Sequence, residues 1–182
     1  MQHNYTISTA NIILQPLSKE DSQRLRRLRN REDNRKWFKS HTEITEEMQN
    51  TWYEKYLSSP TEIMFSIYDR SSLCFLGTVG LHNIDTEKGC AEAGRLLIDR
   101  QTSAGHGFGA EAVISASTIG FNRLNLHYIY AEIYADNIPS IKSFERAHFH
   151  MNGSTYDNAG TPMVTAQISR QTFFSFYPPS QS

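Results

Sequence analysis

The sequence has few cysteines, no excess of charge of one sign and no long apolar run. Its 182 residues include two cysteines, Cys74 and Cys90, which allow one disulfide, although free and reduced thiols in a cytoplasmic protein are the preferred interpretation. Lysine and arginine number 18 against 19 aspartate and glutamate residues, so the basic face of a nucleic-acid-binding protein is not expected. No apolar run approaches the ~18 residues of a membrane span, and the first residues lack a signal-peptide pattern. We therefore expect a cytoplasmic protein without nucleic-acid or membrane partners.

The alternation of strand-like and helix-like segments predicts one α+β domain over residues 1–182, with residues 177–182 as a frayed tail. The predicted strands cover residues 12–14, 64–68, 75–81, 91–98, 127–134, 149–156 and 163–168. The predicted helices begin after the N-caps Ser18 and Thr45, and three more cover residues 35–38, 107–121 and 139–147. Turn segments separate the middle strands, which indicates an antiparallel meander in a mostly antiparallel mixed sheet flanked by helices.

A glycine-rich turn follows the apolar run at residues 96–98 and leads into a helix-forming segment. Gly105, Gly107 and Gly109 alternate there. Glycines adopt positive φ and let a ligand approach the backbone, and the first amides of a helix attract anions. The pattern therefore predicts a cradle for a phosphate group. Because the spacing G-x-G-x-G matches neither the dinucleotide fingerprint nor the P-loop, an ordinary glycine turn is the alternative.

A second block makes the first more specific. Residues 127–134 form a predicted strand, and residues 137–149 read Asn-Ile-Pro-Ser-Ile-Lys-Ser-Phe-Glu-Arg-Ala-His-Phe. Together the two blocks resemble the Gcn5-related N-acetyltransferase (GNAT) superfamily, with its acyl-CoA loop R/Q-x-x-G-x-G/A and its helix N-x-x-S/A-I-x-x-Y-E-K-x-G-F. Residues 29–30, 37–38 and 91–94 extend the resemblance over most of the chain. Within the superfamily the sequence is most similar to the Rim-type protein acetyltransferases and to bacterial acetyltransferases of amino-sugar nucleotides.

The resemblance implies a single GNAT-like domain that binds acetyl-CoA as co-substrate. It implies direct transfer of the acetyl group to a primary amine, with no covalent enzyme intermediate and no metal; no histidine, cysteine and aspartate cluster has metal-ligand spacing. A small acceptor such as an amino-sugar nucleotide is preferred over the N-terminus of a protein, the Rim-type alternative. A non-catalytic acyl-CoA-binding module is a further alternative, and a homodimer is left open.

The resemblance also assigns the cofactor to three segments. It places the amide that polarises the thioester carbonyl near the end of the strand at residues 91–98, which splays from its neighbour in this fold. The expected cofactor-binding residues are Leu97, Ile98, Gly105, His106, Gly107, Phe108, Gly109, Ala110, Asn137, Ser140 and Phe144. Asn137 and Ser140 also fit an ordinary helix start.

The first block departs from the family's pattern at one position, and nearby residues could replace the missing side chain. Ala104 occupies the position of the usual Arg or Gln, so one side-chain donor to phosphate is missing. His106 either replaces that donor in part or is a solvated loop residue. Arg100 and Gln101 could also reach the phosphates, although they are out of register with the motif.

Glu92 is the first candidate for the base that deprotonates the amine, and His82 is the second. Glu92 lies among Ala91, Ala93 and Gly94, and some relatives carry a glutamate at the matching place. A half-buried carboxylate has a raised pKa, which suits a base near neutral pH. The alternatives are a surface Glu92 paired with Arg95 or Lys88, and a structural His82 held by hydrogen bonds.

Phe144 stands where the family often has a tyrosine that protonates the leaving thiolate. Solvent, Tyr134 or Ser140 must then supply that proton, or the chain is not a standard catalyst. For the acceptor, the resemblance indicates a pocket between the N-terminal helices and the sheet, lined by Asn30, Trp37, Phe38, His41 and His82. Trp37 and Phe38 could stack on the face of a sugar or nucleobase, but a place in the core is the preferred interpretation.

Overall fold

The computed structural model describes residues 2–35, 42–103 and 105–178, and its strands form one sheet. The strands are β1 (Ile7–Ser8), β2 (Ile12–Pro16), β3 (Ile63–Asp69), β4 (Phe75–Asp85), β5 (Cys90–Ile98), β6 (Tyr128–Tyr134), β7 (His150–Tyr156) and β8 (Pro162–Ser169). The helices are α1 (Lys19–Asn30), α2 (Glu32–Arg35), α3 (Glu46–Ser58), α4 (Arg100–Ser103), α5 (Phe108–Arg123), α6 (Ile138–Arg146) and α7 (Arg170–Phe176). The spatial order is β1-β2-β3-β4-β5-β6-β8-β7, in which β5 and β6 are parallel and the other neighbours are antiparallel. The predicted α+β class with a mostly antiparallel mixed sheet is confirmed.

Side-chain caps begin the helices where the sequence predicts them. Ser18 Oγ accepts a hydrogen bond from the Asp21 amide at 3.0 Å, and Thr45 Oγ1 accepts one from the Met48 amide at 3.2 Å. Each bond satisfies one of the amides that the first turn of a helix leaves without an intrahelical partner. The predicted starts of α1 and α3 are therefore confirmed.

Hydrophobic side chains on the two faces of the sheet belong to two separate clusters. On β3 the alternation is direct, because Ile63 and Phe65 pack in the larger cluster with α5 whereas Met64 packs in the smaller one with α1 and α3. On β5, Ala91 belongs to the larger cluster and Leu97 to the smaller one. The sheet thus separates an α5 face from an α1–α3 face.

Three features near the chain ends and turns differ from the expectations or extend them. The helix α7 and the short strand β1 were not expected from the sequence. The aromatic residues of α7 favour a strand by propensity, but Phe173 is buried and its ring lies 5.0 Å from that of Phe121. Tyr177 donates its amide to the Phe173 carbonyl at 2.9 Å, so this residue of the predicted tail is packed. Of the helix predicted at residues 35–38, α2 contains Arg35, and the other positions lie outside the described residues.

Cys74 is exposed, Cys90 is buried, and both are free thiols, so the possible disulfide between them does not form. In the part of the chain that the structure describes, no helix is both long enough and apolar enough to cross a membrane.

Candidate active site

The sheet opens between β5 and β6. These strands pair only from Cys90 to Glu92 on β5 and from Tyr128 to Tyr130 on β6. Beyond that point β6 continues to pair with β8, and β5 continues with β4 as far as the register pair Gly77 and Ile98. The described strands therefore part after Glu92, as the resemblance implied, and the β6-facing edge of β5 borders a gap. Strand amides at such an edge are donors that need an outside partner.

A cleft of 330 Å³ occupies the wider end of this gap. It is bounded by the end of β5, the glycine-rich loop, the start of α5 and one face of α6. Its lining residues are Asn34, Leu96, Leu97, Ile98, Arg100, Gly105, Gly107, Phe108, Gly109, Asn137, Pro139, Ser140, Ser143 and Arg146.

The start of α5 is built differently from the starts of the other long helices. Gly107 is its N-cap in the left-handed conformation, at φ +75° and ψ 9°, and it makes no side-chain cap hydrogen bond. By contrast α1, α3 and α6 have the side-chain acceptors Ser18, Thr45 and Asn137. The first amides of α5 are thus left for another acceptor, at the positive end of the helix. This arrangement suits a phosphate group in the cleft.

Gly109 lets α6 pack against the start of α5. A Cβ atom at Gly109 would lie 2.6 Å from Ser143 Oγ, which is closer than real side-chain contacts allow. Ser143 in turn donates its hydroxyl to the Pro139 carbonyl at 3.0 Å. The third glycine of the motif is therefore needed for the wall of the cleft, whereas Gly105 and Gly107 are needed for their positive φ.

The structure brings together eight of the predicted cofactor-binding residues and places three elsewhere. The eight on the cleft are Leu97, Ile98, Gly105, Gly107, Phe108, Gly109, Asn137 and Ser140. His106 lies on the outer side of the loop, where its ring stacks on that of Phe108 at 5.3 Å. Ala110 is buried on the inner side of α5, and Phe144 belongs to the hydrophobic core.

Phe144 is 1% exposed, and its ring packs edge-on against Phe149 at 5.0 Å. Phe144 is not among the α6 residues that border the cleft, so this position contributes to the stability of the core. Of the two alternative proton donors, Ser140 borders the cleft. Tyr134 donates to Asp157 Oδ2 at 3.1 Å, and burial together with this bond raises its pKa.

The Phe144→Tyr variant is expected to be less stable by about 1–3 kcal/mol, because the added hydroxyl would be buried without a partner. The measurement is the free energy of unfolding in denaturant. Phe176→Tyr is the control, since the same hydroxyl added at this 49% exposed position should cost little. A Phe144→Tyr protein as stable as the wild type would show that the new hydroxyl reaches a partner or solvent.

Glu92 and His82 face each other on neighbouring strands at the point where β5 and β6 part. They are register partners, and His82 Nδ1 lies 3.6 Å from Glu92 Oε2. Asn83 Nδ2 donates to the same carboxylate oxygen at 2.9 Å. The side chains of His82 and Glu92 are each 16% exposed. Glu92 thus lies at the closed end of the gap. Its side chain is on the α1–α3 face of the sheet, opposite to the face of Ala91.

Electrostatics separate the two candidates for the base. Burial, and after it the positive charge of Arg95, lowers the pKa of His82 to about 4. The imidazole is therefore neutral and weakly basic at neutral pH. Arg95 and Lys88, the two residues proposed to pair with a structural Glu92, each form an ion pair with another acid. Arg95 Nε donates to Glu62 Oε1 at 3.1 Å, and Lys88 Nζ lies 3.0 Å from Asp85 Oδ2. The low pKa of His82 argues against this residue as the base at neutral pH.

The acceptor residues predicted from the sequence are only partly described. Asn30 uses its amide to hold the chain, since Nδ2 donates to the Ile44 carbonyl at 2.8 Å and Oδ1 accepts from the Ile44 amide at 2.9 Å. Asn30 is therefore placed as a residue that positions the start of α3. Trp37, Phe38 and His41 lie outside the described residues.

Of the polar residues that border the cleft, sequence reasoning missed Asn34, Ser143 and Arg146, whereas it named Arg100 as a residue that could reach the phosphates. Asn34 is buried, and its Nδ2 donates to the Leu28 carbonyl at 2.9 Å. Arg100 reaches the cleft because the short helix α4 follows β5 directly. Arg146 could have been found from the sequence, since it continues the helical spacing of Pro139 and Ser143 on one face of α6.

A comparison with known sequences identifies the class of protein. The sequence profile described as an acetyltransferase (GNAT) domain matches residues 11–150, so the chain belongs to the GNAT family. A protein from Bacillus licheniformis named "Uncharacterized N-acetyltransferase p20" is 38% identical over 93 residues. That alignment spans 51% of this chain and 51% of the relative, about half the length of each.

Solved structures share the fold at low sequence identity. The spermidine N-acetyltransferase from Vibrio cholerae, in complex with CoA and spermine, has a TM-score of 0.79 at 22% identity, over 91% of this chain and 99% of that one. A putative ribosomal-protein-serine acetyltransferase from the same organism has a TM-score of 0.73 at 18% identity, over 93% and 99% of the two chains. A GCN5-related N-acetyltransferase from Brucella melitensis reaches 0.77 at 19% identity, over 94% and 81%.

In the described ranges no group of histidine, cysteine, aspartate and glutamate side chains is arranged to hold a metal ion.

Proposed function

We propose that this protein is an acetyl-CoA-dependent N-acetyltransferase that transfers the acetyl group directly to the primary amine of a small molecule. The observation that carries the proposal is the cleft itself. It joins the uncapped start of α5, with Gly107 at φ +75°, to the β5 edge that is left open where β6 departs. The first feature fits the phosphates of CoA, and the second supplies backbone donors for the pantetheine and the thioester.

Each proposed step uses a group of this chain. Glu92 takes a proton from the acceptor ammonium, and the free amine then attacks the thioester carbonyl. The backbone amide near Leu97 or Ile98 donates to the carbonyl oxygen as negative charge develops on it. As the carbon–sulfur bond breaks, the nitrogen loses its second proton, and the Ser140 hydroxyl or water relays a proton from the nitrogen to the thiolate. Ser140 is preferred to Tyr134 because it borders the cleft.

An amino-sugar nucleotide remains the preferred acceptor, with a protein N-terminus as the Rim-type alternative. The Vibrio cholerae enzyme similar in fold acts on spermidine, which adds polyamines to the acceptors worth testing.

A non-catalytic acyl-CoA-binding module is the second candidate function, favoured by Phe144 and Ala104 in place of the usual tyrosine and Arg or Gln. A cytoplasmic location and a homodimer stay predictions.

The test is release of free CoA from acetyl-CoA over a panel that contains an amino-sugar nucleotide, a polyamine and a peptide with a free N-terminus. Mass spectrometry of the acceptor should detect the addition of one acetyl group. Calorimetry with acetyl-CoA runs in parallel. Binding of acetyl-CoA with no transfer to any amine would favour the binding module, and absence of binding would contradict both functions.

Arg100 and Arg146 are expected to bind the phosphates of CoA from two sides of the loop. Changing either residue to glutamine should weaken CoA binding by about tenfold or more, since a charge-assisted hydrogen bond contributes roughly 1.5–3 kcal/mol. Calorimetry with CoA and with 3′-dephospho-CoA shows which phosphate each arginine contacts. The arginine that binds the 3′-phosphate should lose its effect with dephospho-CoA. Arg123→Gln, at the exposed end of α5, is the control and should bind CoA like the wild type.

A further inference from the structure

Two glycines face each other on the α1–α3 face of the sheet, next to Glu92. Gly80 on β4 and Gly94 on β5 are register partners. A Cβ atom at Gly94 would lie 3.2 Å from His82 Nε2, and one at Gly80 would lie 3.4 Å from Arg95 Cγ. The imidazole of His82 and the stem of Arg95 therefore occupy the space above the two glycines. Arg95 reaches this position from a bulge in β5, where its φ is +54°.

This surface carries charges of both signs beside the proposed base. Arg95 Nε donates to Glu62 Oε1 at 3.1 Å, while 45% of the Arg95 side chain is exposed. Arg29 on α1 lies close enough for the charge of Arg95 to lower its pKa, after the larger effect of burial. The described ionised groups around the proposed base thus include Arg95 and Arg29 and the acids Glu62, Glu92 and Glu132. His82 adds no charge at neutral pH.

We propose that the acceptor carries an anionic group, a carboxylate or a phosphate, and that Arg95 binds it. This inference rests on the proposed function and adds the substrate class. Glu92 receives the ammonium of the acceptor, and the bond to Glu62 uses the Nε–H of Arg95. The terminal nitrogens of the guanidinium carry its remaining donors, in the fork that binds carboxylate or phosphate in a bidentate manner.

Charge complementarity favours such an acceptor over a polyamine. An acceptor with one ammonium and one anionic group provides one partner for Glu92 and one for Arg95. A polyamine brings further ammonium groups to a surface where Arg29 and Arg95 already stand, and like charges at short range oppose binding. The anionic class includes amino-sugar nucleotides, amino acids and phosphorylated amines, which share this chemistry.

The test compares matched acceptors that differ in the anionic group alone. The pairs are an α-amino acid with its amide and O-phosphoethanolamine with ethanolamine, and spermidine is the polycation. We expect kcat/KM to be at least about tenfold higher for the anionic member of at least one pair. The pair that shows the preference identifies the anion as carboxylate or phosphate.

Three variants and one control separate recognition of the anion from loss of an ion pair. Arg95→Gln should abolish most of the preference by raising KM for the anionic member, and Arg95→Lys should keep part of it because it keeps the charge without the fork. Glu62→Gln breaks the same ion pair but leaves Arg95, so the preference should persist or grow. Arg27→Gln removes an exposed cation of α1 and should leave the preference intact.

An equal or higher kcat/KM for the neutral amines or spermidine would overturn the proposal and leave the acetyltransferase function standing. An unchanged preference in Arg95→Gln would overturn it as well. If no amine is acetylated although acetyl-CoA binds, the proposed function fails. Calorimetry of the same acids in the presence of CoA then decides the inference separately, and absence of Arg95-dependent binding overturns it.

Discussion

The Glu92→Gln variant is expected to lower kcat by roughly 10²–10⁴, which is the usual cost of losing a general base. Glutamine keeps the shape of the side chain and can still accept the hydrogen bond that Asn83 Nδ2 donates at 2.9 Å. It cannot take a proton from the acceptor ammonium. The measurement is CoA release at saturating acetyl-CoA as a function of pH, and the acid limb of the wild-type profile should be altered in the variant.

His82 is the internal check on this assignment. Since burial and the charge of Arg95 lower the pKa of His82 to about 4, its imidazole stays neutral between about pH 5 and 8 and cannot produce an acid limb there. Removing His82 should therefore leave the position of that limb unchanged. Glu54→Gln, at an exposed position of α3, is the control for a glutamate removed elsewhere. A Glu92→Gln enzyme with the rate and profile of the wild type would make Glu92 a structural residue.

Because of the same low pKa, His82 lowers the free energy of unfolding in acid. The unfolded chain binds a proton at His82 near pH 6.5, whereas the folded chain binds it only near pH 4. Protonation between these values favours the unfolded state, so the contribution of neutral His82 is present above pH 6.5 and is lost as the pH falls toward 4.

The parts of the fold that follow from local rules could be predicted from the sequence. Period-two alternation gives the middle strands, and Ser18 and Thr45 give two helix starts because their hydroxyls satisfy free amides. The alternating glycines give the turn before α5, since positive φ is needed at Gly105 and Gly107. Each of these signals depends on residues that are adjacent in the chain.

The parts that depend on neighbours distant in sequence could not be predicted. The bulge at Arg95 shifts the register between β4 and β5, and nothing local marks it because a positive φ is uncommon outside glycine. The place of Phe144 in the core is set by its contact with Phe149 and by the packing of α6 on α5. α7 is a helix because Phe173 is buried against Phe121, which outweighs the strand propensity of its aromatic residues.

Gly107→Val is expected to weaken acetyl-CoA binding by about 100-fold or more, which corresponds to about 2.8 kcal/mol. Gly107 caps α5 at φ +75°, and a Cβ atom there meets nothing of the protein within 4 Å. The open space beside it belongs to the cleft, so a branched side chain would occupy the position from which a phosphate reaches the first amides of α5. The measurement is calorimetry with acetyl-CoA.

The substitution also strains the backbone, because a β-branched residue rarely adopts this conformation and pays roughly 1–3 kcal/mol for it. Gly160→Val is the matched control. Gly160 has φ +81° and equally open surroundings, but it lies in the turn between β7 and β8, away from the cleft. Both variants should lose a similar amount of unfolding free energy, and only Gly107→Val should lose affinity for acetyl-CoA. Equal affinities in the two variants would mean that the start of α5 is not where the phosphates bind, since strain alone would then account for everything the substitution does.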